Sequence, residues 1–147
     1  MQVLNKVIIL ALILIATTLV AQDRSIWKIL ANVNYKTRFD EKLKYEVDYP
    51  VFGEESKALE GKIVKVKGYM VPLDEYRGHN FFVLSALPYN VCFFCGAAGP
   101  ETVMEVYTKE DVEFSEKPIW VKGRLKLNDN DYDHLMYILE DAVQIEP

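Results

Sequence analysis

The sequence predicts a mainly β protein built around a small closed barrel. Short segments that alternate apolar and charged residues recur along the second half of the chain, which is typical of half-buried strands. Two of these segments hold a central glycine, Gly68 and Gly123, where a strand can bend or bulge as barrel closure requires. Turn-forming residues separate the segments, as in 128–131. These features favour a five-stranded OB-like barrel with an N-terminal extension, with an open β-sandwich as the alternative.

The individual elements can be placed in chain order. In the clearest strand, Val64 and Val66 alternate with Lys65 and Lys67, which puts the valines on one face. Residues 23–58 are predicted to form the N-terminal extension packing on the barrel, and residues 59–147 the barrel domain. The predicted elements are a short helix over 26–32, an extended segment over 34–50, and strands over 62–73, 79–87, 102–108, 118–127 and 134–145.

Residues 1–22 are predicted to be a signal peptide. A short leader carries Lys6, an apolar stretch runs from Val7 to Val20, and small residues precede the charged Asp23-Arg24. The apolar stretch is shorter than the roughly 20 residues that a spanning helix needs. The sequence therefore predicts a periplasmic or otherwise extracytoplasmic protein with no stable membrane span after signal cleavage.

The charge balance limits the classes of partner. The chain has a formal net charge of −5, and its lysines are interleaved with acidic residues. Binding to a phosphate backbone requires clustered Lys and Arg, so no nucleic-acid partner is expected. The partners left are a metal ion or a protein of the cell envelope.

The chemically distinctive feature is the segment Cys92-Phe93-Phe94-Cys95, which holds both cysteines of the chain. Outside the cytoplasm such a pair forms a small-loop disulfide, binds a metal, or acts as a redox couple. Gly96, Gly99 and Pro100 argue against a helix after the pair, whereas redox-active pairs usually begin a helix that lowers the thiol pKa. Metal binding and a structural disulfide between Cys92 and Cys95 therefore remain as the two main alternatives.

A metal site at this pair requires further ligands. Cys-x-x-Cys-Gly has the shape of half a zinc knuckle, and zinc prefers four Cys, His or carboxylate ligands. The chain has two histidines, His79 and His134. The predicted metal site consists of Cys92, Cys95 and His134, with zinc as the candidate ion.

No motif predicts catalysis. The sequence has no nucleophile elbow, phosphate loop or His-Glu-x-x-His helix, so no catalytic residue is assigned and an enzyme is disfavoured. Asp129, Asp131 and Asp133 alternate in a polar turn, but the Gly and Glu spacing of a calcium loop is missing. A solvated turn is the better interpretation.

The region from about residue 50 to 145 resembles an uncharacterised bacterial envelope family with an OB-like barrel, and the resemblance is most specific over 59–107. The resemblance rests on Gly68-Tyr69-Met70-Val71-Pro72-Leu73 followed by a cysteine-bearing loop. Some members are encoded near zinc-uptake systems, which implies a link to metal handling. Cys92 matches the family's cysteine, but Phe94 stands where many members have histidine, so Cys95 is a ligand only by chemical analogy.

Together these features predict an exported, non-enzymatic envelope protein. In the first hypothesis it binds or relays zinc or another transition metal through the Cys-x-x-Cys loop. In the alternative it is an envelope binding or accessory module that holds a protein or glycan on its barrel loops, and the cysteine pair is a structural disulfide.

Overall fold

The computed structural model describes residues 25–72 and 80–146. Within them the chain is mainly β, with two short α-helices. The elements are α1 (Ile26–Leu30), β1 (Val33–Asp40), β2 (Tyr45–Phe52), α2 (Glu54–Lys57), β3 (Ile63–Met70), β4 (Phe81–Ser85), β5 (Val103–Thr108), β6 (Ile119–Leu127) and β7 (Tyr137–Ile145).

Strands β3 to β7 form a closed barrel in the order β3-β4-β5-β7-β6. All neighbours are antiparallel except β5 and β7, which run parallel. The predicted five-stranded barrel is therefore confirmed, and the open sandwich is not formed. Closure leaves the barrel without a free sheet edge.

The barrel interior is filled by alternate residues of its strands. On β3 the valines Val64 and Val66 are buried while the intervening lysines are exposed, as their alternation predicts. Tyr137 is the largest fully buried side chain. The core also includes Met104, Val106, Val121, Leu125 and Leu139.

The two mid-strand glycines allow close packing inside the barrel. A Cβ atom at Gly123 would lie 2.8 Å from Leu139 Cγ, and one at Gly68 would lie 2.6 Å from the carbonyl oxygen of Ser85. The β6–β7 register shifts between Lys122 and Arg124. Asp141, on the β7 side of that shift, has a positive φ of 52°. The bulge predicted at a mid-strand glycine is therefore present beside Gly123.

The extended segment predicted over 34–50 is a hairpin of two antiparallel strands, β1 and β2. Its turn is held by Asp40, whose Oδ1 accepts hydrogen bonds from the backbone N–H groups of Lys42 and Leu43, both at 2.8 Å. Lys44 adopts a positive φ of 64°. The sequence prediction carried one extended segment through the charged residues 40–42 and so did not place this reversal.

Segments before residue 59 contribute to the same core as the barrel. Leu30 and Phe52 belong to the buried core cluster. The Tyr137 hydroxyl donates to the carbonyl oxygen of Leu30 at 2.6 Å, and Trp27 Nε1 donates to the carbonyl oxygen of Lys67 at 2.7 Å. Burial raises the pKa of Tyr137. The domain boundary at residue 59 stays a prediction.

The predicted signal peptide at 1–22 lies outside the described residues, as does His79. None of the helices within 25–72 and 80–146 has the length and apolar character needed to cross a bilayer.

Candidate functional site

The cysteine pair lies in the loop between β4 and β5. Three short 3₁₀ turns follow one another there, and the middle one spans Phe93–Cys95. The Cys95 N–H donates to the carbonyl oxygen of Cys92 at 3.1 Å, and Gly96 ends the turn in the left-handed conformation with φ of 74°. The predicted absence of an α-helix after the pair is therefore confirmed.

The two thiols are neighbours and are not bonded to each other. Cys92 is buried, with 0% exposure, whereas Cys95 is exposed. The Cys95 thiol donates to the carbonyl oxygen of Tyr89 at 3.0 Å. Partial desolvation raises the pKa of Cys95, and the adjacent Cys92 raises it further. An attacking redox thiol requires a lowered pKa, so the accessible member of the pair is poorly suited to that chemistry.

Phe93 anchors the loop against the outside of the barrel. It packs with Leu135 on a second apolar cluster formed by Val71, Val83 and Val103. Phe94 stacks edge-on against Phe93, with ring centroids 5.3 Å apart, and it is 38% exposed. Of the two phenylalanines, Phe93 alone packs against this buried cluster, because the turn directs Phe94 toward solvent.

Beside this cluster lies a buried carboxylate that the sequence reasoning missed. Glu105 is 5% exposed and its two oxygens accept three hydrogen bonds. Oε1 accepts from the Leu135 N–H at 2.8 Å, and Oε2 accepts from the Tyr107 hydroxyl at 2.9 Å. His134 Nδ1 lies 2.9 Å from Oε2. A fully bonded buried carboxylate of this kind fixes the groups around it.

The position of Glu105 in its strand explains why it was missed. Met104 and Val106 point into the barrel core, so strand alternation predicts that Glu105 is solvated. Val103, on the same face as Glu105, is fully buried because the cysteine loop covers that face. In the sequence, the apolar Val103 is the one local sign that both faces of strand β5 are buried.

The structure places His134 with Glu105 rather than with the cysteines. Because a carboxylate can only accept, the His134 Nδ1–H is the donor in this contact with Glu105. Across residues 25–72 and 80–146, no group of three or more His, Cys, Asp or Glu side chains is arranged to hold a metal ion. The three predicted ligands therefore do not assemble into one centre in this part of the chain.

A groove opens where three separate segments meet, with a volume of about 350 Å³. The segments are the β1–β2 hairpin, the cysteine loop and the β6–β7 turn. Four aromatic rings contribute to its walls, and amide and carboxylate side chains of the β6–β7 turn contribute to its rim. The lining residues are Tyr35, Asp48, Tyr49, Pro50, Phe93, Pro100, Asn128, Asp129, Asn130, Asp131, Tyr132, His134, Leu135 and Met136.

Hydrogen bonds and ring contacts hold the hairpin wall of the groove in place. Tyr132 packs edge-on against Tyr49, with centroids 5.4 Å apart, and its hydroxyl donates to the carbonyl oxygen of Asp48 at 2.9 Å. The Arg38 guanidinium lies 4.0 Å from the Tyr49 ring centroid and donates to the carbonyl oxygen of Asp129 at 3.1 Å. The groove is thus a preformed feature of the fold.

The opposite wall is ordered by one buried asparagine. Asn128 Nδ2 donates to the carbonyl oxygens of Asp131, His134 and Leu135 at 2.6 to 3.2 Å. Its Oδ1 accepts from the Asp131 N–H at 3.0 Å. Asp131 Oδ1 accepts from the Asp133 N–H at 3.0 Å, so the alternating aspartates act as turn residues. The last strand, which was predicted to begin at residue 134, begins at Tyr137 because this network holds the preceding residues in the turn.

These features define a small mixed β-barrel with a cysteine loop folded over one outer face. No protein-family model matches the chain, and no curated sequence is significantly similar to it. Among solved structures, the chain is similar to a DUF3299 family protein from Pseudomonas aeruginosa PAO1, with 25% identity and a TM-score of 0.44. The match covers 62% of this chain and 66% of that chain. At this TM-score the likeness carries no functional argument.

Proposed function

We propose that this protein is a non-enzymatic, extracytoplasmic binding module that holds a glycan in the groove between the hairpin, the cysteine loop and the β6–β7 turn. The observation that carries the proposal is the convergence of four aromatic rings from three distant segments on one preformed groove. Barrels of the OB type bind oligosaccharides through one strand face and two of their connecting loops.

The chemistry of the walls supports a sugar ligand. Tyrosine and phenylalanine rings present flat apolar faces on which the C–H face of a sugar ring can stack, and tyrosine adds a hydroxyl. Asp48, Asp129, Asn130 and Asp131 supply acceptors for sugar hydroxyls. A pocket with apolar walls and a few polar groups at fixed positions is typical of small-ligand sites.

A titration with chito-oligosaccharides, followed by tyrosine and tryptophan fluorescence, tests this function. We expect saturable binding by the wild-type chain and at least a tenfold weaker affinity for Tyr35→Ala/Tyr132→Ala, since stacked rings dominate such contacts. Tyr45→Ala is the matched control, because Tyr45 is an exposed hairpin tyrosine outside the groove lining. Absent binding, or equal loss in control and double variant, would reject the glycan. A pull-down of an envelope protein that depends on Tyr35 and Tyr132 would instead favour the protein partner.

Location and the state of the thiols are part of the same proposal. Secretion would remove residues 1–22 and expose the cysteines to an oxidising compartment. The two thiols would then be oxidised to a disulfide that fixes the 3₁₀ turn containing Phe93. N-terminal sequencing of the periplasmic protein should begin near Asp23, and thiol counting without reductant should find no free thiols. Retention of the intact N-terminus in the cytoplasm would contradict this part.

Binding or relay of a transition metal, with zinc as the candidate, is the second function that we propose to test. It is favoured by one observation, the presence of two unbonded thiols three residues apart in a single short loop. Soft thiolates are the ligands such metals prefer. Native mass spectrometry of the reduced chain with zinc should then show one bound ion that Cys92→Ala/Cys95→Ala loses. Equal zinc retention by the two chains would reject it.

A further inference from the structure

The outer face of strands β3, β6 and β7 combines positive charge with exposed apolar side chains. Strand register brings nine outward-facing positions into three rows across these strands. The rows are Lys67–Trp120–Ile145, Lys65–Lys122–Val143 and Ile63–Arg124–Glu140. Four of these nine residues are basic and one is acidic, in a chain whose net charge is −5. We call these nine residues the cationic face.

The central row contains an electrostatic conflict. Lys65 and Lys122 lie directly opposite each other on neighbouring antiparallel strands, an arrangement that is destabilising. Neither lysine has an ion-pair partner among the described residues. The single acid, Glu140, is engaged by Lys126, with Nζ and Oε1 3.4 Å apart. Among the described residues, no acid therefore neutralises the charges of Lys65 and Lys122, and an external anion could do so.

Exposed apolar groups stand between these charges. Ile63 is 52% exposed and Val143 is 40% exposed, and each is adjacent to a basic residue in the register. Trp120 is half-buried, with the Lys67 ammonium 5.8 Å from its ring centroid. Tryptophan with lysine is the combination that occupies the interface between water and lipid headgroups.

We propose that the cationic face docks the barrel on an anionic phospholipid surface. The lysines and Arg124 would lie at the headgroup phosphates, while Ile63 and Val143 enter the shallow apolar region beneath them. A single-stranded nucleic acid fits less well, because such sites use several stacking rings in a groove and this face offers one ring and branched aliphatic groups. The cationic face lies on strands other than β4 and β5, which the cysteine loop covers.

Vesicle co-sedimentation at low ionic strength tests the proposal. Each basic residue at an anionic surface strengthens binding about fivefold, so Lys65→Gln/Lys122→Gln should bind phosphatidylglycerol-containing vesicles about 25-fold more weakly than wild type. The control is Lys36→Gln/Lys44→Gln, which removes the same charge from the hairpin. Every variant keeps residues 1–22, whose apolar stretch could itself bind lipid. The measured quantity is therefore the difference in binding between vesicles with phosphatidylglycerol and vesicles of phosphatidylcholine alone.

The outcomes are distinguishable from those of the groove proposal. Preferential binding to the anionic vesicles, lost in the Lys65/Lys122 variant and kept in the control, supports the docking face whatever the result with chito-oligosaccharides. Equal binding to both lipid mixtures, or an equal loss in both lysine variants, overturns it. Binding to a single-stranded oligonucleotide that outcompetes the vesicles also overturns it and identifies a nucleic acid as the partner.

Discussion

The outer faces of the barrel differ in how their polar groups are neutralised. On the β4–β5 side, the cysteine loop covers the sheet and buries Glu105, which finds three hydrogen-bond donors inside the molecule. On the β3–β6–β7 side, no loop within residues 25–72 and 80–146 covers the sheet, and Lys65 and Lys122 face each other without an ion-pair partner in that part of the chain. The covered face therefore satisfies its polar groups within the protein, whereas the bare face keeps a like-charge pair that lowers stability.

The largest expected effect is at the buried carboxylate of the covered face. Glu105→Ala should lower the free energy of unfolding by about 3 kcal/mol, because it leaves three buried or partly buried donors without their acceptor. Urea denaturation measures the change, and Glu116→Ala, at an exposed loop acid, should stay within about 0.5 kcal/mol of wild type. If Glu105→Ala does not fold, Glu105→Gln, which keeps one acceptor oxygen, should give a smaller loss. A loss equal to that of the exposed control would contradict the structural role.

The next largest loss of stability is expected at Phe93, which anchors the cysteine loop on the β4–β5 face. Phe93→Ala should destabilise the fold by about 2 kcal/mol. Truncating a half-buried phenylalanine costs less than truncating one in the core. Phe94→Ala removes the same ring from the next position in the same turn, and its cost should be about 0.5 kcal/mol because Phe94 is a surface residue outside the buried cluster. Thermal unfolding of the two variants side by side makes the comparison. Equal losses would show that Phe93 is not the anchor.

A smaller loss of stability is expected from a change in the barrel core, at Tyr137. Tyr137→Phe should lower the free energy of unfolding by about 1 kcal/mol, because the Leu30 carbonyl loses its buried donor. The folded-state pKa of Tyr137 is raised, so its contribution is complete below the unfolded pKa of about 10 and falls as pH rises above it. Unfolding measured from pH 8 to 11 should therefore lose less stability with pH in Tyr137→Phe than in wild type. Identical slopes would exclude a contribution from this hydroxyl.

The smallest effect should have the opposite sign and lies on the bare face. Lys65→Glu should raise the free energy of unfolding by about 0.5 kcal/mol, because it replaces a like-charge cross-strand pair with an ion pair to Lys122. Lys65→Gln should gain less, since it removes repulsion without adding attraction. Denaturation at low and high salt separates the two, as the gain should shrink when the charges are screened. A destabilised Lys65→Glu chain would mean that the two lysines do not repel each other.

Much of the local structure was readable from the sequence. Alternation and one short apolar run located the barrel strands, Gly68 and Gly123 marked the places of close approach, and Gly96 and Pro100 indicated a turn rather than a helix after the cysteines. The groove and the buried carboxylate were not readable in the same way. Glu105 and His134 are 29 residues apart, and the period of two in a strand says which residues share a face without saying what covers it.

The amino-acid sequence alone was therefore enough to predict the fold class and the absence of an α-helix after the cysteine pair, because both follow from residues close together in the chain. The tertiary structure alone decided that the β4–β5 face is covered, that His134 pairs with Glu105 and not with the cysteines, and that Lys65 lies opposite Lys122. Each of these depends on which distant strands pair and in which register. Burial and electrostatic interaction depend on distance in space, and strand pairing sets that distance.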